Sequence, residues 1–216
     1  MTPARPWADK IRPLLGTVFI DNIGGATGSL GAAAVVRARP DGYTLLLGGS
    51  VTHINEALLK TRPLYNPEKD LEPIMCLAVN HLAIAVHPSV PATTLKELVA
   101  YAKANPGKLS YGHVGVGSAN HLAGELFKSL AGIPDVAPVP YRGAGPLIPD
   151  LISGHVGIGI MAVTGQSLGF HRAGNIRILA VTSPQPLFAA PEIPTTAQAG
   201  FPGLTARSRP NTDADH

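Results

Sequence analysis

Leu109–Phe127 reads LSYGHVGVGSANHLAGELF: a short apolar strand, a turn carrying Gly112, Gly115 and Gly117, and a helix whose Leu122, Leu126 and Leu130 recur every four residues. Ser118 stands where a helix N-cap belongs, and the glycines let backbone N–H groups converge at the same end. Unpaired N–H donors and the helix dipole both favour negative charge there, so the stretch reads as an anion-binding loop.

The same rhythm of strand, small-residue loop and helix runs outward on both sides. Upstream, Trp7–Leu15 has weak helical spacing, with Gly16 placed to end it. Thr17–Asn22 (TVFIDN) is expected to be a short strand, followed by the loop GGATGSLG over Gly24–Gly31 and a helix through Ala38. Tyr43–Gly49 (YTLLLGG) reads as a buried strand from its continuous apolar run. A further small polar loop, Ser50–His53, opens a helical segment, and Asn66–Asp70 is turn-like. Thr94 and Glu97 form a capping box ahead of a helix with Leu95, Leu98, Val99 and Ala102 on one face. Downstream come a strand at Val136–Pro140, the turn YRGAG, and a short helix near Leu147–Ile152. Pro149 fits that helix only if it starts at Pro146. The strands VGIGIMAV and IRILAVTS follow, giving five strands between about Leu82 and Thr182. From Leu204 to His216 the composition turns polar and disordered.

Composition narrows the class. With 216 residues, 45% of them hydrophobic, the chain can build one large core or two small ones, and no apolar run reaches the ~18 residues that span a bilayer. The excess of 17 basic over 14 acidic residues is scattered with few aromatics, so no stripe suits a nucleic-acid backbone. One cysteine, Cys76, excludes an intrachain disulfide and reads as a small core residue. The first residues, MTPARPWADKIRPLLG, lack the apolar segment of a signal peptide.

The loops fail the stricter catalytic and nucleotide patterns. Gly112 and Gly117 have Walker A spacing, but Ser118 stands where Lys is needed, and Gly24–Gly31 has no GxGxxG register. Ser118 is not a nucleophile elbow, since Val116 and Asn120 occupy the positions that need Gly. The eight histidines form no HxxxH pair, and His113 and His121 lack a nearby carboxylate or Cys to complete a metal site. No cofactor or metal is expected. What remains is non-catalytic binding of a small anion.

The strings ARPDGYTLLLG, TLKELVAYAKANPGKLSYG, GVGSANHLAGELF, VPYRGAGPLIPDLISGHV, IRILAVTS and EIPTTAQAGFPG, in this order, resemble the Bug-type periplasmic substrate-binding proteins of tripartite tricarboxylate transporters. The resemblance covers roughly Trp7–Leu204. It implies an α/β, type II periplasmic-binding-protein-like fold, with two α/β domains closing on a small mono- or dicarboxylate for delivery to membrane permease subunits in the periplasm, without chemistry. The domains implied are 1–81 with 183–216, a partial first domain, and 82–182. The ligand-binding residues implied are Gly25, Ala26, Gly28 and Ser29, then Ser50, Thr52 and His53, from the first domain. From the second they are Gly115, Gly117, Ser118, Asn120 and His121, with Tyr141 and Gly143 nearby.

The resemblance also implies departures. Family members begin with an export signal and a strand ending in a Pro-Gly-Gly loop. That strand lies between the equivalents of Thr17–Asn22 and Tyr43–Leu47, so the chain is expected to be truncated at both ends, with an incomplete first domain that binds ligand poorly. Gly157 and Gly159 stand near a position where the family commonly carries an acid. Two alternatives belong to other classes: an effector-binding regulatory domain of the same fold, and a Rossmann-type nucleotide-binding enzyme.

Overall fold

The computed structural model describes residues 4–49, 52, 56–57, 60–75 and 79–208. Its contacts divide the chain into two compact units, Met1–Glu72 and Pro73–His216. Ser50 and His53, and Cys76 with its expected core role, lie outside the described residues.

The first unit holds α1 (Ala4–Leu15), a 3-10 turn at Ala26–Gly28, α2 (Ser29–Val36) and the single helical turn α3 (Pro67–Asp70). Gly16 ends α1 as expected, its N–H donating to the Arg12 carbonyl at 2.9 Å with φ +84°. Ala32, Ala33 and Tyr65 are buried together with Val36, Leu46 and Leu71 against them, a small core. The two expected strands are corrected here. Among the described residues, 17–22 and 43–49 run without strand pairing. The second is not buried: Tyr43 is 91% exposed, like Phe19 at 89%, and Leu45 and Leu47 are also exposed. An apolar run becomes a buried strand only where neighbours satisfy its backbone and cover its faces.

The second unit is a mixed sheet sandwiched between helices. In chain order it contains β1 (Asn80–Val86), α4 (Leu95–Ala104), β2 (Ser110–His113), α5 (Ala119–Ala131) and β3 (Ala137–Pro140). It continues with α6 (Ala144–Ile152), β4 (Ile158–Ala162), α7 (Gly165–Arg172), β5 (Arg177–Val181) and β6 (Arg207–Ser208). The strand order is β3-β2-β4-β1-β5, with β6 on β1. β2 is parallel to β3 and β4, whereas β1 is antiparallel to β4, β5 and β6. The fold is thus the α/β class expected, with the five strands anticipated between Leu82 and Thr182. β3 carries Pro138 and Pro140, which an edge strand tolerates.

Alternation along β1 feeds two cores. Leu82, Ile84 and Val86 join Leu95 and Leu98 of α4 and Phe127 of α5 on one face. Ala83 and Ala85 join Leu147 and Leu151 of α6 and Leu168 of α7 on the other. A strand buried on both faces is why LAIAV is continuously apolar. At Gly124 the helix α5 comes so close to the sheet that an added Cβ would lie 2.3 Å from the Tyr111 ring. Gly159 fits under Leu151 in the same way, its virtual Cβ 2.6 Å from Cδ2, so packing accounts for a glycine in this strand.

Three local expectations change. The α5 leucines at 122, 126 and 130 are partly exposed, and the buried face is Asn120, Ala123, Gly124, Phe127 and Ala131. Small residues face the sheet because Tyr111 fills the space, and the leucines flank that contact. Helix α6 starts at Ala144, so Pro149 sits inside it, on an exposed side where the loss of one backbone bond is solvated. Leu204, expected to begin a polar tail, is fully buried. Residues 183–206 pack on this second unit: Thr195 bridges Val181, Ile193 enters the core, and Phe201 meets Phe127 edge-on at 5.5 Å. The contact division therefore differs from the expected grouping of 183–216 with the first domain. Helix α7 is an element beyond those expected, opened by a Thr164–Ser167 capping box.

Candidate functional site

Strands β2, β3 and β4 are parallel, and each is followed by a helix, so α5, α6 and α7 begin at one edge of the sheet. The strand order puts the start of α5 in the middle. Ligands of open α/β sheets sit at this carboxyl edge, where N–H groups and helix dipoles point outward.

The central loop is built by glycine and a cap. Gly115 and Gly117 take φ of +131° and +76°, which a side chain would strain. The Ser118 N–H donates back to the Gly115 carbonyl at 3.2 Å, and its Oγ accepts from the His121 N–H at 3.1 Å, the expected N-cap. That leaves the Ala119 and Asn120 N–H groups of the first turn without an intrahelical acceptor. The Asn120 side chain is buried and engaged: its Nδ2 donates to the Ile160 carbonyl at 2.9 Å, tying α5 to β4.

Two imidazoles brace the loop. The buried His113 lies 2.9 Å through Nδ1 from the Gly115 carbonyl, which can only accept, so that nitrogen carries the proton and has no lone pair left for the Gly115 N–H 3.3 Å away. Burial holds His113 below the ordinary imidazole range. His121 packs on it with ring centroids 4.4 Å apart, and its Nδ1 accepts the Gly117 N–H at 3.2 Å. Behind them, the Tyr111 hydroxyl donates to Glu125 at 2.6 Å, and Lys128 pairs with the same carboxylate at 3.1 Å. Burial would raise the Glu125 carboxyl, but Tyr111 and Lys128 outweigh it and hold it below the usual range. Burial, with Glu125 adding to it, pushes the Tyr111 phenol well up.

The neighbouring helix start is barer. Gly143, at φ +109°, caps α6 without a side-chain acceptor. Ala144 and Gly145 keep free first-turn N–H groups and Pro146 has none. Tyr141 turns its hydroxyl to Asp150 at 2.8 Å; burial and that carboxylate push it up to about 12. The third helix start, at α7, is closed by Thr164 and Ser167, which exchange bonds at 3.1 and 2.8 Å. Neither residue is among those the family resemblance implies for the ligand site.

In the first unit the structure brings Gly25, Ala26, Gly28 and Ser29 together with Thr52: a Cβ on Gly28 would lie 3.2 Å from the Thr52 methyl. Gly25 and Gly28 have φ of +118° and +92°, and Ala26 follows at +46°. The buried Ser29 lies beside the buried Glu56, which pairs with Lys60 and accepts the Leu64 N–H at 2.6 Å. Burial would raise the Glu56 carboxyl, but the Lys60 ammonium and the Leu64 N–H outweigh it and hold it below the usual range. Ser29 thus faces inward. The Thr52 hydroxyl donates to the Gly49 carbonyl at 2.6 Å.

A grouping that superficially resembles hydrolytic machinery sits at the C-terminal end of α6. Ser153 Oγ lies 2.7 Å from His155 Nδ1, and Asp150 lies 3.6 Å from the same nitrogen. A triad needs the acid and the nucleophile on opposite ring nitrogens, so this geometry does not relay a proton. Among the described residues no three His, Cys, Asp or Glu side chains gather as a metal site, and no helix is long and apolar enough to cross a membrane.

Comparison with known proteins accounts for this architecture. Residues 4–210 match the family described as tripartite tricarboxylate transporter family receptor, TctC. Protein BugT of Bordetella pertussis is 33% identical over 206 residues, covering 94% of this chain and 62% of BugT. A Rhodopseudomonas palustris protein solved with adipate has a TM-score of 0.89 and 34% identity, covering 95% of this chain and 69% of that one. MatC from the same organism, solved with bound malate, has a TM-score of 0.86 and 28% identity, covering 95% and 70%. The chain spans about 60% of the length of the curated relatives first matched. With a matched span that takes in both units and the helix starts at the sheet edge, this chain belongs to the TctC, or Bug, family of periplasmic solute-binding proteins.

Proposed function

We propose that this protein captures a small mono- or dicarboxylate for the membrane permease subunits of a tripartite tricarboxylate transporter, in the periplasm and without chemistry on the ligand. The observation that carries the reading is the row of helix starts at the β3-β2-β4 edge, where Ala119, Asn120, Ala144 and Gly145 offer N–H groups without intrahelical acceptors. Backbone donors hold a carboxylate without a dedicated Arg. The adipate and malate bound by two solved relatives support this ligand class. Gly25–Ser29 and Ser50–His53 of the first unit are proposed as the second set of donors.

Isothermal titration of the folded protein with a carboxylate panel, adipate and malate included, tests it. Saturable binding of at least one member is expected. Absence of heat with every member, from protein with a native near-UV spectrum, contradicts the proposal.

A further inference from the structure

His121 uses its Nδ1 lone pair inside the loop, where it accepts the Gly117 N–H at 3.2 Å. An amide nitrogen only donates, so the neutral ring carries its own proton on Nε2. A second proton has one place to go, Nδ1, where the Gly117 bond ends. Protonation and that bond are therefore mutually exclusive. Gly117 is buried, and a buried N–H left without an acceptor is costly.

The surroundings leave His121 as the group that responds. His113, 4.4 Å away, is buried and already donates from Nδ1 to Gly115. The other titratable groups are Tyr111 on β2, which is bonded to Glu125, and Glu125 and Lys128 on α5 itself; the Glu125 carboxylate interacts with His121. β4 and residues 199–204, also packed against α5, bring no titratable side chain.

We infer that His121 is a proton-operated positioning residue: a proton on Nδ1 releases the Gly117 N–H and puts a cation beside it, so a carboxylate oxygen replaces the imidazole nitrogen as its acceptor. This rests on the carboxylate-receptor reading. Affinity for carboxylates then rises as pH falls, for as long as the carboxylate itself stays ionised.

Two measurements test it. In ligand-free protein, the Gly117 amide resonance is expected to follow the titration of the His121 ring. In calorimetry, adipate or malate is expected to bind about three- to fivefold tighter at about pH 6.5 than at about pH 8. His121→Gln, which keeps an acceptor oxygen but no titrating proton, should bind with the same affinity at both. A Gly117 resonance that ignores the His121 titration, or wild-type binding that does not change with pH, overturns the inference and leaves the receptor reading standing. No binding of either acid at either pH overturns both.

Discussion

The Asn120 side-chain amide donates to the Ile160 carbonyl across 40 residues of sequence, at 2.9 Å, and pins the first turn of α5 to β4. Both groups are buried. Asn120→Ala leaves that carbonyl unpaired in the interior, which costs ~1–3 kcal/mol. Urea denaturation should show that loss, and an unchanged midpoint would contradict the role.

Gly124→Ala tests the close approach of helix and sheet. Its Cβ would meet the Tyr111 ring at 2.3 Å, and the ring is held by its bond to Glu125. Overpacking of this kind costs ~1–3 kcal/mol, and a variant as stable as the parent would show that Tyr111 moves aside freely.

Tyr111→Phe should change the acid limb of stability. The Glu125 carboxyl lies low because Tyr111 and Lys128 outweigh burial. A depressed folded pKa stabilises above the unfolded value of about 4.3, and that contribution disappears as pH falls through the folded value. The stability gap between parent and variant should therefore be full near neutrality and narrow in acid. A gap that stays constant with pH would contradict the linkage. Because Glu125 is 43% exposed, the effect is small.

In the first unit, Phe19→Ser and Tyr43→Thr should each change stability by less than ~0.5 kcal/mol, because both rings face solvent. Leu82→Ala, at a fully buried position of β1, should cost ~2–5 kcal/mol. A large loss at Phe19 or Tyr43 would show that those segments are covered in solution.

What was legible in the sequence was local or periodic. The Thr94–Glu97 box and the Ser118 cap depend on neighbours three residues apart, and both form as written. The apolar run of β1 announced burial, since strands covered on both faces have no polar side. Other features depended on distant partners. Tyr43–Gly49 has the same apolar character as β1 but, among the described residues, no strand beside it. The α5 leucines fit a helical period, yet the sheet chose the face with Ala123 and Gly124, because Tyr111 needed the room. At the site, the glycine loop and cap could be read directly. The bonds that occupy Asn120, Tyr141 and His121 could not, since their partners lie on other elements or depend on loop geometry.

The central claim is that backbone donors at one sheet edge hold a carboxylate. The most direct measurement is a two-dimensional amide spectrum of the labelled protein titrated with adipate. Saturable shifts concentrated at Ala119, Asn120, Ala144 and Gly145 are predicted, with little change in α4. Saturable binding that leaves those four amides unmoved would contradict the account.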